Sequence, residues 1–320
     1  MNKLITLFIL LVLTNSHCTK AYAAIPDPQL DVTNNREIIK SDLQKEVIVA
    51  VIDTGIDIDH PYLKSNLWIN SGESGLDESG NDKSTNGIDD DHNGYVDDIH
   101  GWDFTTQSND LTDTIGHGTH ISGIISGKST PRLAISNLTK IKIMTLKYFD
   151  KDAGDTQSIK NTVLAIKYAV KMGASIINYS SSGAIRNKDE ETAIKEASAK
   201  GIIFVTAAGN SGLDIDKYPY YPANYKAQNI IPVSSIDENF RLLASSNYGH
   251  KTILAPGKSI YSTLPGGRFG VMTGTSQATA FVSQSLASII KNRTSKTLTD
   301  EILSSVKSDF TKSNNRLLMN

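Results

Sequence analysis

The sequence predicts an α/β fold built on a mostly parallel sheet with helices on both faces. Short runs rich in β-branched and aliphatic residues alternate with helical patterns along the chain, which is the order typical of such sheets. The runs are apolar on both faces, as buried parallel strands are. No internal repeat or low-complexity linker divides the chain, so one main domain is expected. The predicted strands are 47–52, 141–146, 174–179 and 202–208.

Apolar residues recur at helical spacing in three stretches. The first ends at Gly173 and the second, 188–200, ends at Gly201, because glycine readily adopts the left-handed conformation that follows a helix. The third follows the pair Thr275-Ser276, and one of these hydroxyls is expected to cap it. The apolar positions of the first and third stretches are Ile159, Val163, Ile166, Val170, Ala278, Val282, Leu286 and Ile289.

The first 23 residues have the features of a secretory signal peptide. Lys3 precedes the apolar run 4–13, and a small-x-small triplet ends at Ala23. The run is too short for a comfortable membrane span. We therefore expect an exported protein, secreted or periplasmic, with no membrane segment once the peptide is removed. In an alternative interpretation Cys18, the single cysteine, is the lipid-modified first residue of a bacterial lipoprotein.

The charge of the chain is close to balanced. It carries 32 Lys and Arg against 34 Asp and Glu, a composition that does not favour nucleic acid or anionic membranes as partners. If Cys18 is removed with the signal peptide, the remaining chain forms no disulfide. A monomer is expected.

Polar residues that could carry chemistry occur in three stretches, and two of these stretches follow predicted strands, where catalytic groups collect in parallel sheets. Asp53 ends the first strand in VIVAVIDTGIDIDHP, and Asn210 follows the strand 202–208, where its amide could donate to an oxyanion. His117 lies in DTIGHGTHISGIISG, where flanking glycines allow close approach of backbone and substrate. His120 lacks the partners of a zinc motif and is expected to be structural.

A simpler, structural interpretation exists for three of the candidate residues. Asp53 could cap its own turn, Asn210 could belong to an Asn-Ser-Gly turn, and Ser276 could lie at the start of an ordinary core helix. The triplet Asp53-Thr54-Gly55 also occurs in aspartic proteases, but those are β-rich proteins that need two such triplets or a dimer, and this α/β pattern has one. Four chemical groups in this order are less easily explained by chance.

The strings VAVIDTGID, GHGTHISG, AAGNSG and GTSQATA together resemble the subtilisin-like serine proteases, or subtilases. The resemblance spans about residues 44–308. It implies a three-layer α/β/α, subtilisin-like fold and a secreted endopeptidase acting on polypeptides through an acyl-enzyme. Ser276 would be the nucleophile, His117 the base, Asp53 its orienting carboxylate and Asn210 an oxyanion donor.

The resemblance also assigns residues to substrate binding. Ser180, Ser181 and Ser182 occupy the place of one wall of the specificity pocket, and Gly209 is assigned to the same pocket. A side chain at Ser182, where the family has glycine, is expected to narrow the entrance. The residues Ala280-Phe281 replace the usual Pro-His after the nucleophile and are expected to keep the helix.

An acidic insertion at about residues 70–110 contains TNGIDDDHNGYVDDIHGWDF. Its oxygen-bearing side chains have the spacing of a calcium loop, although His100 stands where an EF-hand has its last glutamate. We expect a structural calcium ion there and no cofactor for catalysis; a solvated acidic turn is the alternative. The predicted ligands are Asp89, Asp91, Asn93, Tyr95 and Asp97.

These interpretations divide the chain into a signal peptide (1–23), a short N-terminal segment that could be a pro-segment (24–43), and a catalytic domain (44–320). A protein of another class is also considered, namely a catalytically inactive binding protein that keeps the subtilase fold. The changes at Ser182 and Ala280-Phe281 are its only support.

Overall fold

A computed structural model describes residues 46–128, 140–151 and 155–290. The predicted signal peptide, Cys18, the segment 24–43 and the last thirty residues of the predicted domain lie outside these ranges. The strands are β1 Glu46–Asp53, β2 Gly101–Asp103, β3 Lys140–Lys147, β4 Ile176–Tyr179, β5 Ile203–Ala207, β6 Ile230–Ile236, β7 Ile253–Pro256, β8 Ile260–Leu264 and β9 Arg268–Met272. The helices are α1 His117–Ile125, α2 Asp155–Lys171, α3 Lys188–Ala199 and α4 Thr275–Ile290, with a 3₁₀ turn at Lys64–Asn66.

Seven strands form one parallel sheet in the order β2-β3-β1-β4-β5-β6-β7. The four predicted strands are confirmed as β1, β3, β4 and β5. Strand β4 begins two residues later than predicted, because the Ala174 amide still donates to the Ala169 carbonyl in the turn that closes α2. Strand β1 lies between β3 and β4 and is buried from Val47 to Asp53 apart from partly exposed Ile48.

Helices cover both faces of the sheet and make three layers. On one face α1 and α4 pack on β1, β3 and β5 through a buried cluster that includes Ile121, Ile143 and Leu286. On the other face α2 and α3 pack through a second cluster that includes Ile166, Ile194 and Phe204. Because both faces are buried, the strands are apolar on both sides, as the sequence pattern indicated.

The helix ends follow the predicted signals. Gly173 and Gly201 both have φ of +77° and lie just beyond α2 and α3. Helix α3 is capped by Asn187, whose side-chain oxygen accepts hydrogen bonds from the amides of Asp189 and Glu190 at 2.9 Å. None of the helices in the described ranges is long and apolar enough to cross a membrane.

Strands β8 and β9 form an antiparallel hairpin outside the main sheet. The hairpin packs against α1 at Gly123, where an added Cβ atom would lie 2.2 Å from Thr263 Oγ1. The backbone carbonyls of His120 and Thr119 accept hydrogen bonds from Ser262 and Thr263. The hairpin therefore holds α1 in place and leads into α4.

Candidate active site

Asp53 and His117 form a hydrogen-bonded pair at the carboxyl edge of the sheet. Asp53 ends β1 and is 3% exposed. Its Oδ1 atom lies 2.7 Å from His117 Nδ1, a hydrogen-bond distance in which the imidazole donates. The same carboxylate oxygen accepts the Thr54 amide at 2.8 Å. The carboxylate is thus held from two sides, and His117 Nε2 is the ring nitrogen left to act on a substrate.

The close approach of α1 to β1 requires glycine at position 118. An added Cβ atom there would lie 2.1 Å from the Gly55 carbonyl oxygen and 3.2 Å from Asp53 Cβ. Gly116, just before the helix, has φ of +91°, a conformation that side chains other than glycine rarely adopt. The glycines of the GHG string therefore place His117 against Asp53.

The pKa of His117 reflects opposing influences. Desolvation is the largest single influence and lowers it. The charge of Asp53, its hydrogen bond and the charge of Asp113 together outweigh that effect, so the pKa is raised above its ordinary value of 6.5. The arrangement thus favours a positive imidazole, the form that a general base takes after it has accepted a proton.

Ser276 lies in the first turn of α4 and is 8% exposed. Its Oγ donates to the Ser180 carbonyl at 3.0 Å, and Ser180 Oγ donates to the Ser276 carbonyl at 3.2 Å. Among the described residues, no hydrogen bond joins Ser276 Oγ to His117. The end of β4 and the start of α4 are therefore joined directly through this pair of serines.

Asn210 is tied to the residue that precedes Ser276. Its Oδ1 atom accepts from the Thr275 amide at 2.9 Å and from Thr275 Oγ1 at 3.1 Å. Both polar atoms of the Asn210 amide lie 3.4 Å from an ideal Cβ built on Gly274. In the part of the chain that the structure describes, Asn210 Nδ2 has no hydrogen-bond partner, so this donor is free beside the N-terminus of α4.

The expected hydroxyl cap on α4 is not observed. Thr275 Oγ1 donates to Asn210 and accepts the Gly209 amide at 3.3 Å, while Ser276 Oγ donates to Ser180. Within the described chain neither hydroxyl accepts an amide of its own helix. Both serve contacts between separate segments, which a local capping pattern cannot reveal.

The predicted substrate-binding residues follow two neighbouring strands, β4 and β5. The Ser180 hydroxyl points inward, because it accepts from Asn178 Nδ2 and donates to the Ser276 carbonyl. Ser181 and Ser182 are partly exposed at the same edge. Gly209 has φ of +108°, and an added Cβ would lie 2.8 Å from Tyr220 Cε1. Ser181, Ser182 and Gly209 remain candidates for substrate contact.

A cluster of carboxylates lies in the acidic insertion. Oxygen atoms of Glu73, Asp89 and Asp91 lie within 4.8 Å of one another. Glu73 is fully buried, and its Oε2 atom has no hydrogen-bond partner among the described residues. Sequence reasoning missed Glu73, which precedes the calcium-like spacing by 16 residues. The chain brings it near because Gly72 packs tightly on Asp91: an added Cβ at Gly72 would lie 2.3 Å from Asp91 Cβ.

Of the other predicted calcium ligands, Asp97 lies outside this group of three carboxylates, while Asn93 and Tyr95 make contacts within the protein. Both Asp97 carboxylate oxygens face the Gly87 amide, at 3.1 and 3.2 Å. Asn93 Oδ1 accepts the Tyr95 amide, and Asn93 Nδ2 donates to Asp91 and Asp98. The Tyr95 ring packs in the core cluster of α2.

The pKa values of Glu73 and Asp89 shift in opposite directions. Burial raises the pKa of Glu73; the amides of Asp91 and Asp90 partly offset this effect, and nearby acidic charges add to it. Burial alone would raise the pKa of Asp89, but hydrogen bonds from the Gly94 and Asn93 amides outweigh that effect, so the pKa is lowered. A buried carboxylate oxygen without a partner is the kind of group that a bound cation would satisfy.

The model of a protein family described as "Subtilase family" matches residues 44–316 of the chain. This match covers well over half of the sequence. The chain belongs to the subtilase family. The interpretation of Asp53-Thr54-Gly55 as an aspartic-protease triplet is therefore wrong, and Asp53 belongs to a parallel α/β sheet instead.

Known proteins similar to this subtilase include bacterial and protozoan proteases. Thermitase of Thermoactinomyces vulgaris is 30% identical over 238 residues, 73% of this chain and 71% of thermitase. The thermophilic serine proteinase of Bacillus sp. (strain AK1) is 32% identical over 237 residues, 73% of this chain and 50% of that protein. Subtilisin-like protease 2 of Plasmodium falciparum (isolate 3D7) is 32% identical over 246 residues, 74% of this chain and 16% of that protein. This subtilase matches half or less of the last two.

Two solved structures share the fold of this subtilase. A cold adapted subtilisin-like serine proteinase superimposes with a TM-score of 0.58 at 24% identity, over 80% of both chains. A lanthipeptide protease superimposes with a TM-score of 0.61 at 21% identity, over 80% of this chain and 79% of the other. The predicted three-layer, mostly parallel α/β/α fold is confirmed.

Proposed function

We propose that this subtilase is a serine endopeptidase in which Asp53, His117 and Ser276 form the catalytic triad. The observation that carries the proposal is the 2.7 Å contact of His117 Nδ1 with the buried Asp53 carboxylate. That contact fixes the imidazole tautomer and leaves Nε2 to take a proton. Family membership supports the same chemistry.

The reaction begins with a movement of Ser276. Its Oγ leaves the Ser180 carbonyl, to which it donates at 3.0 Å, and turns toward His117 Nε2. Oγ attacks the peptide carbonyl carbon while Nε2 accepts its proton, and His117 then gives that proton to the leaving amine. Water hydrolyses the resulting acyl-enzyme by the same steps, with His117 again as base.

Asn210 stabilises the oxyanion of the tetrahedral intermediate. Its Nδ2 donor is free in the described chain, and its Oδ1 is fixed by Thr275 at 2.9 Å. The Ser276 amide, at the N-terminus of α4, is the second donor, and the helix dipole adds to its effect. The carbonyl group of the substrate would therefore lie between the C-terminal end of β5 and the N-terminus of α4.

Polypeptides are the substrates in this proposal, and Ser181, Ser182 and Gly209 contact them. These residues follow β4 and β5, which are adjacent in the sheet, so an extended chain can lie between them. The partly exposed hydroxymethyl group of Ser182 narrows this site. Small side chains at the cleavage site are then favoured over large apolar ones.

Labelling with a serine-reactive fluorophosphonate tests the triad. The probe is expected to label the wild-type protein and to leave the Ser276→Ala variant unlabelled. Ser285→Ala is a matched control, because Ser285 lies on the same helix and its Oγ donates only within α4, to the Phe281 carbonyl. A folded wild-type protein that is neither labelled nor able to cleave unfolded casein would contradict the proposal. That result would favour the inactive binding protein, in agreement with the absent Ser276–His117 hydrogen bond.

We also propose that the acidic insertion holds a structural calcium ion. Glu73, Asp89 and Asp91 would provide charged oxygen ligands, which suit calcium. The buried, unpartnered Glu73 Oε2 fits such an ion. Bound calcium would link the loop around Glu73 to the loop around Asp91 and stabilise the fold; the catalytic steps do not use it.

Thermal unfolding tests the calcium site in a Ser276→Ala background, which prevents self-digestion. After bound metal has been removed with a chelator, added calcium is expected to raise the Tm of the Ser276→Ala parent protein. The same addition should have little effect on the Tm of the parent that also carries Glu73→Gln. Glu78→Gln changes an exposed carboxylate of the same insertion and should respond like the parent. Equal stabilisation of the Glu73 and Glu78 variants would exclude Glu73 as a ligand.

Export is proposed from the N-terminal sequence. Removal of residues 1–23 would release a monomer that begins at Ala24, with 24–43 as a possible pro-segment. N-terminal sequencing and light scattering of the protein recovered from the periplasm or medium of a bacterial host test this expectation. Recovery in the membrane fraction with a lipid at Cys18 would instead support the lipoprotein alternative.

A further inference from the structure

A second buried carboxylate, Asp113, lies behind the Asp53–His117 pair. Asp113 is 4% exposed and precedes α1 by four residues. Its Oδ1 accepts from Thr54 Oγ1 at 2.8 Å and from the Gly116 amide at 2.7 Å. Its Oδ2 accepts from the Thr119 amide at 2.8 Å and from Thr119 Oγ1 at 2.7 Å. A longer bond from the Ile115 amide, 3.1 Å, completes the set.

These bonds join the strand that carries Asp53 to the helix that begins with His117. Thr54 directly follows Asp53, and its Oγ1 also accepts the Gly118 amide at 2.9 Å. Gly116, the N-cap residue, offers no side chain, so Asp113 binds amides around the first turn of α1. The relative position of Asp53 and His117 is therefore set through Asp113 and Thr54.

The charge of Asp113 also acts on His117. Among the charged groups that influence the imidazole, Asp53 and Asp113 are acidic and favour its positive form. His120 lies one turn along α1, and burial lowers its pKa to about 4, so it is neutral at neutral pH. Two buried carboxylates thus act on His117 in the same direction.

Charged groups on the neighbouring elements are engaged elsewhere. Asp57, in the loop after β1, accepts the amides of Gly266 and Gly267 at the tip of the hairpin. Arg268 is exposed and donates through Nε to the Pro265 carbonyl. Lys147 at the end of β3 pairs with Asp103 at 2.9 Å.

We infer that Asp113 is a positioning residue, which holds His117 against Asp53 through its hydrogen bonds to Thr54 and to the first turn of α1. Its buried charge acts on His117 in addition. The inference rests on the proposed triad. Two effects are separable. Loss of the Asp113 charge changes the protonation of His117, whereas loss of the Thr54 hydroxyl loosens the geometry and keeps the charge.

The pH profile of kcat/KM tests both effects, with fluorescently labelled casein as substrate and rates expressed per fluorophosphonate-labelled site. Asp113→Asn is expected to lower kcat/KM about 10- to 100-fold, because small displacements of catalytic groups are costly. Its acid limb should also move to lower pH, since an imidazole with less negative surroundings gives up its proton more readily. An acid limb at the wild-type pH in a folded, labelled Asp113→Asn protein overturns the inference.

Thr54→Val and Thr54→Ser form a second, matched pair. Valine removes the hydroxyl that bridges Asp113 and the Gly118 amide, and serine retains it. Valine should lower kcat/KM about tenfold or more without moving the acid limb, and serine should restore most of the activity. Equal activity of these two variants overturns the inference. This test remains available if the Asp113→Asn protein does not fold. If wild-type protein is unlabelled and inactive, the proposed triad itself has failed, which is a distinct result.

Discussion

His120 provides a quantitative test of how a buried imidazole affects stability. This residue is fully buried in α1, and its Nε2 lies 3.0 Å from the Ile260 carbonyl. The Nδ1 atom has no hydrogen-bond partner in the described residues. Addition of a proton would place a positive charge and an unpaired donor in the interior. Desolvation therefore lowers the pKa of His120 to about 4, although the carbonyls of Ile260 and Gly270 offset part of the effect.

The expected effect on stability follows from proton linkage. The pKa of an ordinary histidine is 6.5, so between pH 6.5 and about 4 the unfolded chain binds a proton at this position and the folded chain does not. Stability from this group is thus complete above pH 6.5 and is lost as the pH falls toward 4. The total effect is about 3 kcal/mol, of which about 2 kcal/mol is lost between about pH 7 and pH 5.

Urea unfolding of the Ser276→Ala protein and of Ser276→Ala with His120→Gln measures this difference. Glutamine can still donate to the Ile260 carbonyl, but it does not titrate. Other acidic and basic groups are common to the two proteins, so their effects cancel in the comparison. The parent should lose about 2 kcal/mol more than the His120 variant between about pH 7 and pH 5. If the two free energies of unfolding fall in parallel, the reasoning about the buried neutral imidazole is refuted.

Three further substitutions test the site and the fold. Gly118→Ala should lower kcat/KM by about 100-fold, because a Cβ atom 2.1 Å from the Gly55 carbonyl oxygen forces α1 away from β1. A kcat/KM within about threefold of the wild-type value would contradict this prediction. Asn210→Ala should lower kcat by about 100- to 1000-fold, the cost known for the loss of an oxyanion donor in a subtilisin, and steady-state kinetics with KM nearly unchanged would support the role. Lys147→Met should lower the free energy of unfolding, measured by urea denaturation, by about 3–5 kcal/mol, because it leaves the Asp103 carboxylate buried without its partner at 2.9 Å. A loss below about 1 kcal/mol would show that Asp103 finds another partner.

Local sequence was sufficient where a signal depends on near neighbours. Four short apolar runs predicted β1, β3, β4 and β5, because parallel strands buried on both faces are composed mainly of apolar residues. Gly173 and Gly201 marked helix ends because the left-handed conformation after a helix favours glycine. Strands β2 and β6 to β9 were not predicted. They include polar residues such as Asp103, Ser234 and Thr263, which are buried because other segments cover them.

The residue types of the site were also readable from the sequence. Asp53, His117, Asn210 and Ser276 lie in short strings whose glycines and small residues serve local geometry, and such strings can be found without a structure. The sequence likewise indicated Asp89 and Asp91, because calcium loops repeat oxygen ligands at alternate positions.

Contacts between distant segments were decided by the tertiary structure alone. Glu73 joins Asp89 and Asp91 because Gly72 allows two loops to pack closely, and no short spacing records that approach. Asp113 reads as an ordinary residue before a helix, and only the fold places Thr54, from a strand end 59 residues earlier, against its carboxylate. A sequence specifies which groups are present and how local segments fold, whereas the packing of those segments decides which hydrogen bonds replace water around a buried charge.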